Sequence, residues 1–96
     1  MYIVRDVFQT KPGTAKELVK KFKTTLPFIE EFGLKEPRIM TDVVAGYWTV
    51  VLEYGTEDIA SLEKTRGFTS RPEVSEAMKG YMELVVGGRR EIYRVE

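Results

Sequence analysis

The order of its periodic segments constrains this chain more than any other feature: strand, helix, strand, strand, helix, strand. That succession fits a split βαββαβ unit, an α+β, ferredoxin-like arrangement with one four-stranded antiparallel sheet. The strands also carry large apolar side chains on both faces. Two helices fill only one face of a small sheet, so the other face calls for a second cover, most simply another copy of the chain.

Tyr2 to Thr10 is rich in β-branched and aromatic residues and reads as the first strand. Lys11-Pro12-Gly13 is a turn, and Thr14-Ala15-Lys16-Glu17 fits a capping box that opens a helix. Ala15, Leu18, Val19, Phe22, Leu26 and Ile29 form its apolar stripe. Lys16, Lys20, Lys21 and Lys23 lie off that stripe, as a solvated face or, in the rival reading, an anion-binding patch. Pro27 should kink the helix or begin a separate last turn, and Gly33 should end it. Glu36 to Val44 reads as the second strand, Ala45-Gly46 as a corner, and Tyr47 to Tyr54 as the third strand. Alternation places Trp48, Val50, Leu52 and Tyr54 toward the helices, with Tyr47, Thr49, Val51 and Glu53 on the open face. A short helix follows, capped by Thr56, carrying Ile59 and Leu62 and ending near Gly67. Ser70-Arg71-Pro72-Glu73 is a second capping box, opening a helix whose stripe is Val74, Ala77, Met78, Tyr81, Met82 and Val85. Gly87-Gly88 closes that helix, and Arg89 to Val95 is the last strand.

Composition removes whole classes of chemistry. A chain of 96 residues makes one domain spanning 1–96, with a modest core. It has no Cys, which excludes disulfides, thiolate nucleophiles and zinc–cysteine sites. It has no His, which removes the commonest general base and the usual haem and transition-metal ligand. Its Asp and Glu are scattered without a metal-ligand pattern, so no metal and no cofactor are expected. Fifteen basic residues balance fifteen acidic ones. This balance, and the lack of a basic-aromatic RNP pattern, argue against nucleic acid and against an RNA-recognition domain, which shares the βαββαβ order. No apolar stretch approaches membrane-spanning length and charges interrupt the first apolar run at Arg5-Asp6, so a cytoplasmic protein is expected, with no membrane partner.

A site should sit on the open sheet face. On the first strand, Ile3-Arg5-Val7-Gln9 and Tyr2-Val4-Asp6-Phe8 are equally mixed, and the Arg5 set is taken as the open one. Arg5, Tyr47 and Glu53 are then the candidate ligand-binding residues, with no residue identified as catalytic. The first and third strands are neighbours in this topology, so Arg5 and Glu53 can meet. They form either a structural cross-strand ion pair or a site in which Arg5 anchors a substrate and Glu53 acts as base. Trp48 reads as core packing, and Tyr81 and Tyr93 as half-buried residues able to donate hydrogen bonds. No Ser lies in a nucleophile elbow and no Gly-rich loop precedes a helix.

The run from Val4 to Gly13 entering a capped helix resembles the strand-to-helix corner of the dimeric α/β-barrel superfamily. So do Ser70-x-Pro72-Glu73 opening the last helix and Gly87-Gly88-Arg89-Arg90-Glu91-Ile92-Tyr93 behind it. The similarity spans nearly the whole chain and is nearest to the NIPSNAP-like and antibiotic-biosynthesis-monooxygenase-like branches. It implies a homodimer whose two sheets close into a barrel, with a pocket between sheet and helices or inside the barrel. Members of the superfamily include cofactor-independent oxygenases of aromatic substrates, haem-degrading enzymes, isomerases and proteins of unknown role. Haem-degrading members use a His ligand, which this chain lacks. The cofactor-free oxygenases place Trp, Tyr, Asn and Arg around the substrate, and this chain has no Asn, so no catalytic residue carries over. The resemblance implies a small-molecule-binding homodimer, acting as a cofactor-independent monooxygenase or isomerase. The alternative is a noncatalytic stress-response or interaction module whose dimer interior is filled.

Overall fold

The computed structural model describes the backbone of residues 1–96 and the side chains of residues 1–63 and 67–96. The elements follow the expected order: β1 Tyr2–Thr10, α1 Ala15–Glu31, β2 Lys35–Thr41, β3 Thr49–Thr56, α2 Pro72–Ala77 and β4 Val85–Arg94. A 3₁₀ segment, Ile59–Arg66, joins β3 to α2, and a 3₁₀ turn, Tyr81–Glu83, joins α2 to β4. The four strands form one antiparallel sheet in the order β2-β3-β1-β4. This is the ferredoxin-like α+β fold.

Register settles the faces. β1 lies against β3 with Val4 opposite Tyr54, Arg5 opposite Glu53 and Asp6 opposite Leu52. Val4, Val50, Leu52 and Tyr54 pack with Leu18, Phe22, Ile29 and Leu34 in one buried core. Val50, Leu52 and Tyr54 of β3 face the helices as the alternation predicts. On β1 the Val4-Asp6-Phe8 set faces the helices, which leaves Arg5 on the open face as expected. α1 lies over β2 and β3, and α2 packs beside it.

Several local expectations fail for identifiable reasons. β3 begins at Thr49, so Tyr47 and Trp48 belong to the preceding loop, and Trp48 is exposed rather than core. Both have positive φ, 61° and 52°, outside the extended region that regular strand pairing requires. Hydrogen bonds hold them there: the Thr10 N–H and hydroxyl both donate to the Trp48 carbonyl at 2.9 Å, and Gln9 Nε2 donates to that of Tyr47 at 3.0 Å. β2 ends at Thr41, short of Val44, and Val43 and Val44 are almost wholly exposed in the loop. Neither capping box forms. The Thr14 hydroxyl donates to the Lys11 carbonyl at 2.7 Å, and α2 starts one residue late, behind Arg71. α1 runs on through Pro27 to Glu31, and Gly33, at φ 80°, follows its end as expected. The last helix stops at Ala77, eight residues before its predicted stripe does, because the chain turns at Gly80 with φ 82°. Gly87 and Gly88 lie inside β4. A Cβ on Gly88 would come within 2.8 Å of the Val7 carbonyl, so this glycine serves strand contact rather than helix termination.

Candidate functional site

On the open face, β1, β2 and β3 converge on Glu53. Arg5 donates through Nε and Nη2 to Oε1, both at 2.8 Å. Arg38, opposite Glu53 on β2, donates through Nε and Nη2 to Oε2, both at 2.5 Å. Burial, the largest influence, pushes the Glu53 carboxyl up, but the hydrogen bonds from Arg5 and Arg38 outweigh it and hold the group below the usual carboxylate range. A carboxylate saturated on both oxygens is chemically a structural ion-pair centre, with little basicity left for taking a proton.

Tyr47 is not brought to that centre. Its side chain is 80 % exposed, in the loop held by Gln9. Gln9 is four residues along β1 from Arg5, roughly 13 Å at the strand rise. Tyr93 of β4 takes its place: the Arg5 guanidinium lies 5.5 Å from its ring centre, and its hydroxyl donates to Glu91.

The opposite face holds a cavity of about 720 Å³, lined by none of these three candidates. It opens where the shortened α2 leaves β1 and β4 uncovered. Asp6 and Arg90, opposite each other in the β1–β4 register, form its polar floor. Arg90 Nε donates to Oδ1 at 2.6 Å and Nη2 to Oδ2 at 3.1 Å, a forked pair. This hydrogen bonding raises the Arg90 pKa. Tyr54, buried beside them, has its phenol pushed up by burial and then by the Asp6 charge, so it stays a protonated donor at neutral pH. Apolar side chains, among them Phe8, Phe22, Leu52, Phe68 and Met78, form most of the walls.

One wall is fixed from outside. Arg71 donates to Glu31 at 2.7 Å and lies 5.0 Å and 5.9 Å from the ring centres of Phe28 and Phe32. Phe68 meets Phe32 edge to face at 5.5 Å. These contacts fasten the chain before α2 to the end of α1. Lys21 is likewise structural, donating to the Lys79 carbonyl at 2.7 Å, whereas Lys16, Lys20 and Lys23 are exposed.

Asp6, Tyr54 and Arg90 were not singled out by the pattern. The available signal was a carboxylate on a strand face whose other members, Val4 and Phe8, are apolar, because a charge there needs a partner. Among the described residues no cluster of three or more Asp or Glu could hold a metal ion, and no helix is long and apolar enough to cross a membrane.

No protein-family model matches the chain, and no curated protein matches it significantly. Solved structures do. An uncharacterized NIPSNAP domain protein from Burkholderia xenovorans superposes with a TM-score of 0.82 at 13 % identity, covering 100 % of this chain and 95 % of that one. An uncharacterized NIPSNAP-like domain protein from the same organism gives 0.80 at 19 % identity, covering 99 % and 84 %. A candidate antibiotic biosynthesis monooxygenase from Deinococcus radiodurans gives 0.74 at 12 % identity, covering 100 % and 93 %. At such identities the likeness establishes the fold: the chain folds as NIPSNAP-domain and antibiotic-biosynthesis-monooxygenase-like proteins do.

Proposed function

We propose that this protein is a small homodimer that binds a small organic molecule in the cavity between its sheet and α2. The observation that carries the reading is the cavity itself. Its volume, about 720 Å³, falls in the range of small-molecule sites, and a mainly apolar lining surrounds a few convergent polar groups. The dimer is supported by the open face, where half-buried Ile3, Met40 and Val51 and exposed Tyr93 share one side of the sheet with the Glu53 centre. A second copy would cover them. Arg5 and Glu53 then act as a structural pair within the dimer interior, and ligand binding passes to the other face.

The finer reading is a cofactor-independent monooxygenase or isomerase, supported by the naming of the Deinococcus radiodurans neighbour and by the protonated Tyr54 beside an ion pair. Thermal shift against a metabolite panel tests binding, since a ligand of the native state raises its melting temperature. Hits incubated with the protein in air then report turnover by mass spectrometry: a gain of one oxygen atom with loss of two hydrogens for oxygenation, since the substrate itself must supply the two electrons and two protons that take the second oxygen atom to water, and an unchanged mass with altered retention for isomerisation. A panel that leaves the melting temperature unmoved counts against the binding reading. Binding without turnover favours a noncatalytic module.

A further inference from the structure

We infer that this cavity selects neutral ligands that carry a hydroxyl or N–H donor, and that Asp6 makes it reject organic anions. The inference rests on the reading that the cavity binds a small molecule, and it names the chemical class that the site accepts.

Arg90 is the cationic group on the cavity floor, and alone it would attract carboxylates. It is not alone. Its fork is already closed on the Asp6 carboxylate. The Asp6 side chain is largely buried, 15 % exposed, whereas that of Arg90 is about half exposed. An entering carboxylate would place a second negative charge against one shared guanidinium in a partly desolvated space, where like charges repel strongly. Among the described residues, the remaining charges lining the cavity, Lys79 and Glu83, are opposite in sign and add no net attraction for an anion.

A neutral donor meets the opposite situation. The two Asp6 oxygens take one hydrogen bond each from Arg90 and retain further acceptor capacity. A hydroxyl or N–H can donate to that carboxylate without displacing Arg90. The rest of the molecule would rest on Phe8, Phe22, Leu52 and Met78. A ligand of the same shape without a donor leaves that capacity unused and should bind more weakly.

Three probes sharing one fused ring test this by isothermal titration calorimetry at pH 7: 2-naphthol, 2-methoxynaphthalene and 2-naphthoate. Wild-type protein should bind 2-naphthol at least tenfold more tightly than either of the others. In Asp6→Asn the Arg90 charge is no longer balanced, and the preference should reverse in favour of 2-naphthoate. A purely structural Asp6–Arg90 pair would not produce that reversal. Arg90→Gln carries the opposite expectation and serves if Asp6→Asn does not fold: 2-naphthoate binding falls further while 2-naphthol is retained. Equal affinities for all three probes, tighter wild-type binding of 2-naphthoate, or an unchanged order in the variants overturns the charge rule and leaves the cavity reading standing. If no probe binds, the cavity reading falls and takes the charge rule with it.

Discussion

Arg5→Met is the perturbation that reads the Glu53 centre most directly. It removes both donors to Oε1 and leaves Arg38 as the remaining partner of a carboxylate whose side chain is only 4 % exposed. Charged hydrogen bonds lost from a buried acceptor cost about 2–3 kcal/mol. For a domain of this size each kcal/mol moves the melting temperature by about 4–8 °C, so a fall of roughly 10–20 °C is expected at pH 7. Glu53→Leu behaves differently. It removes the buried charge and fills similar volume, while Arg38, on the edge strand, can turn to water and Arg5 keeps the Tyr93 ring and the Glu91 charge beside it. Its cost should stay under about 1 kcal/mol, as apolar replacement of a buried ion often does.

The double variant Arg5→Met with Glu53→Leu places two apolar side chains opposite each other across β1 and β3. It should recover most of the loss caused by Arg5→Met, with a coupling of about 2 kcal/mol in the double-mutant cycle. Melts followed by circular dichroism at one fixed protein concentration check this, since association also stabilises. A melting temperature unchanged by Arg5→Met, or a larger loss in Glu53→Leu than in Arg5→Met, would refute the argument that burial of the carboxylate sets the cost.

Four further outcomes follow from the same geometry. The folded Glu53 carboxyl is held below its ordinary value, so its stabilisation is complete above the unfolded value of about 4.3 and is lost as pH falls through the lowered folded value. Melts from neutral to about pH 3 should show that loss, and Glu53→Gln should flatten it. Val50→Asp puts an unpaired carboxylate at a fully buried position under the helices and should abolish the cooperative melt, whereas Val51→Asp, on the open face, should leave a folded chain. Tyr47→Gly relieves a positive φ at a residue whose ring is mostly exposed, so it should raise the melting temperature by a few degrees, about 0.5–1 kcal/mol net of glycine's greater chain entropy; a fall would show that the ring is packed. Light scattering at micromolar concentration should report twice the chain mass, and Val51→Asp should lower it toward one chain.

The alternation of Val50, Leu52 and Tyr54 was enough to place the helix side of β3, because apolar residues at period two leave one consistent face. Topology followed from the order of the elements, and with it the pairing of the first and third strands in which Arg5 meets Glu53. Arg38 escaped notice because its place depends on a register shift between Lys35 and Arg38, where Glu36 takes a φ of 49°. The end of the last helix escaped because Val74 to Val85 keeps a helical stripe across Gly80, and a glycine can be tolerated in a helix as well as end one. Tyr47 and Trp48 have strong strand propensity, yet the bonds from Gln9 and Thr10 fix them in a loop, so tertiary contacts override the local preference.

The ambiguity of β1 has its own physical content. Arg5 and Asp6 are adjacent, so they must point to opposite faces, and each face therefore carries one charge that the strand itself cannot neutralise. Arg5 finds Glu53 on β3, and Asp6 finds Arg90 on β4. β1 is central and can supply both because it has a neighbour on either side. The two pairs differ in what lies above them. Glu53 is closed over by a second arginine, so its capacity to bind is spent within the protein. Among the described residues Asp6 is engaged by Arg90, and the cavity adjoins the pair, leaving space where a third partner could sit. One strand thus builds a saturated ion-pair centre on one face and an unsaturated one on the other, and the unsaturated one is where a ligand has something to gain.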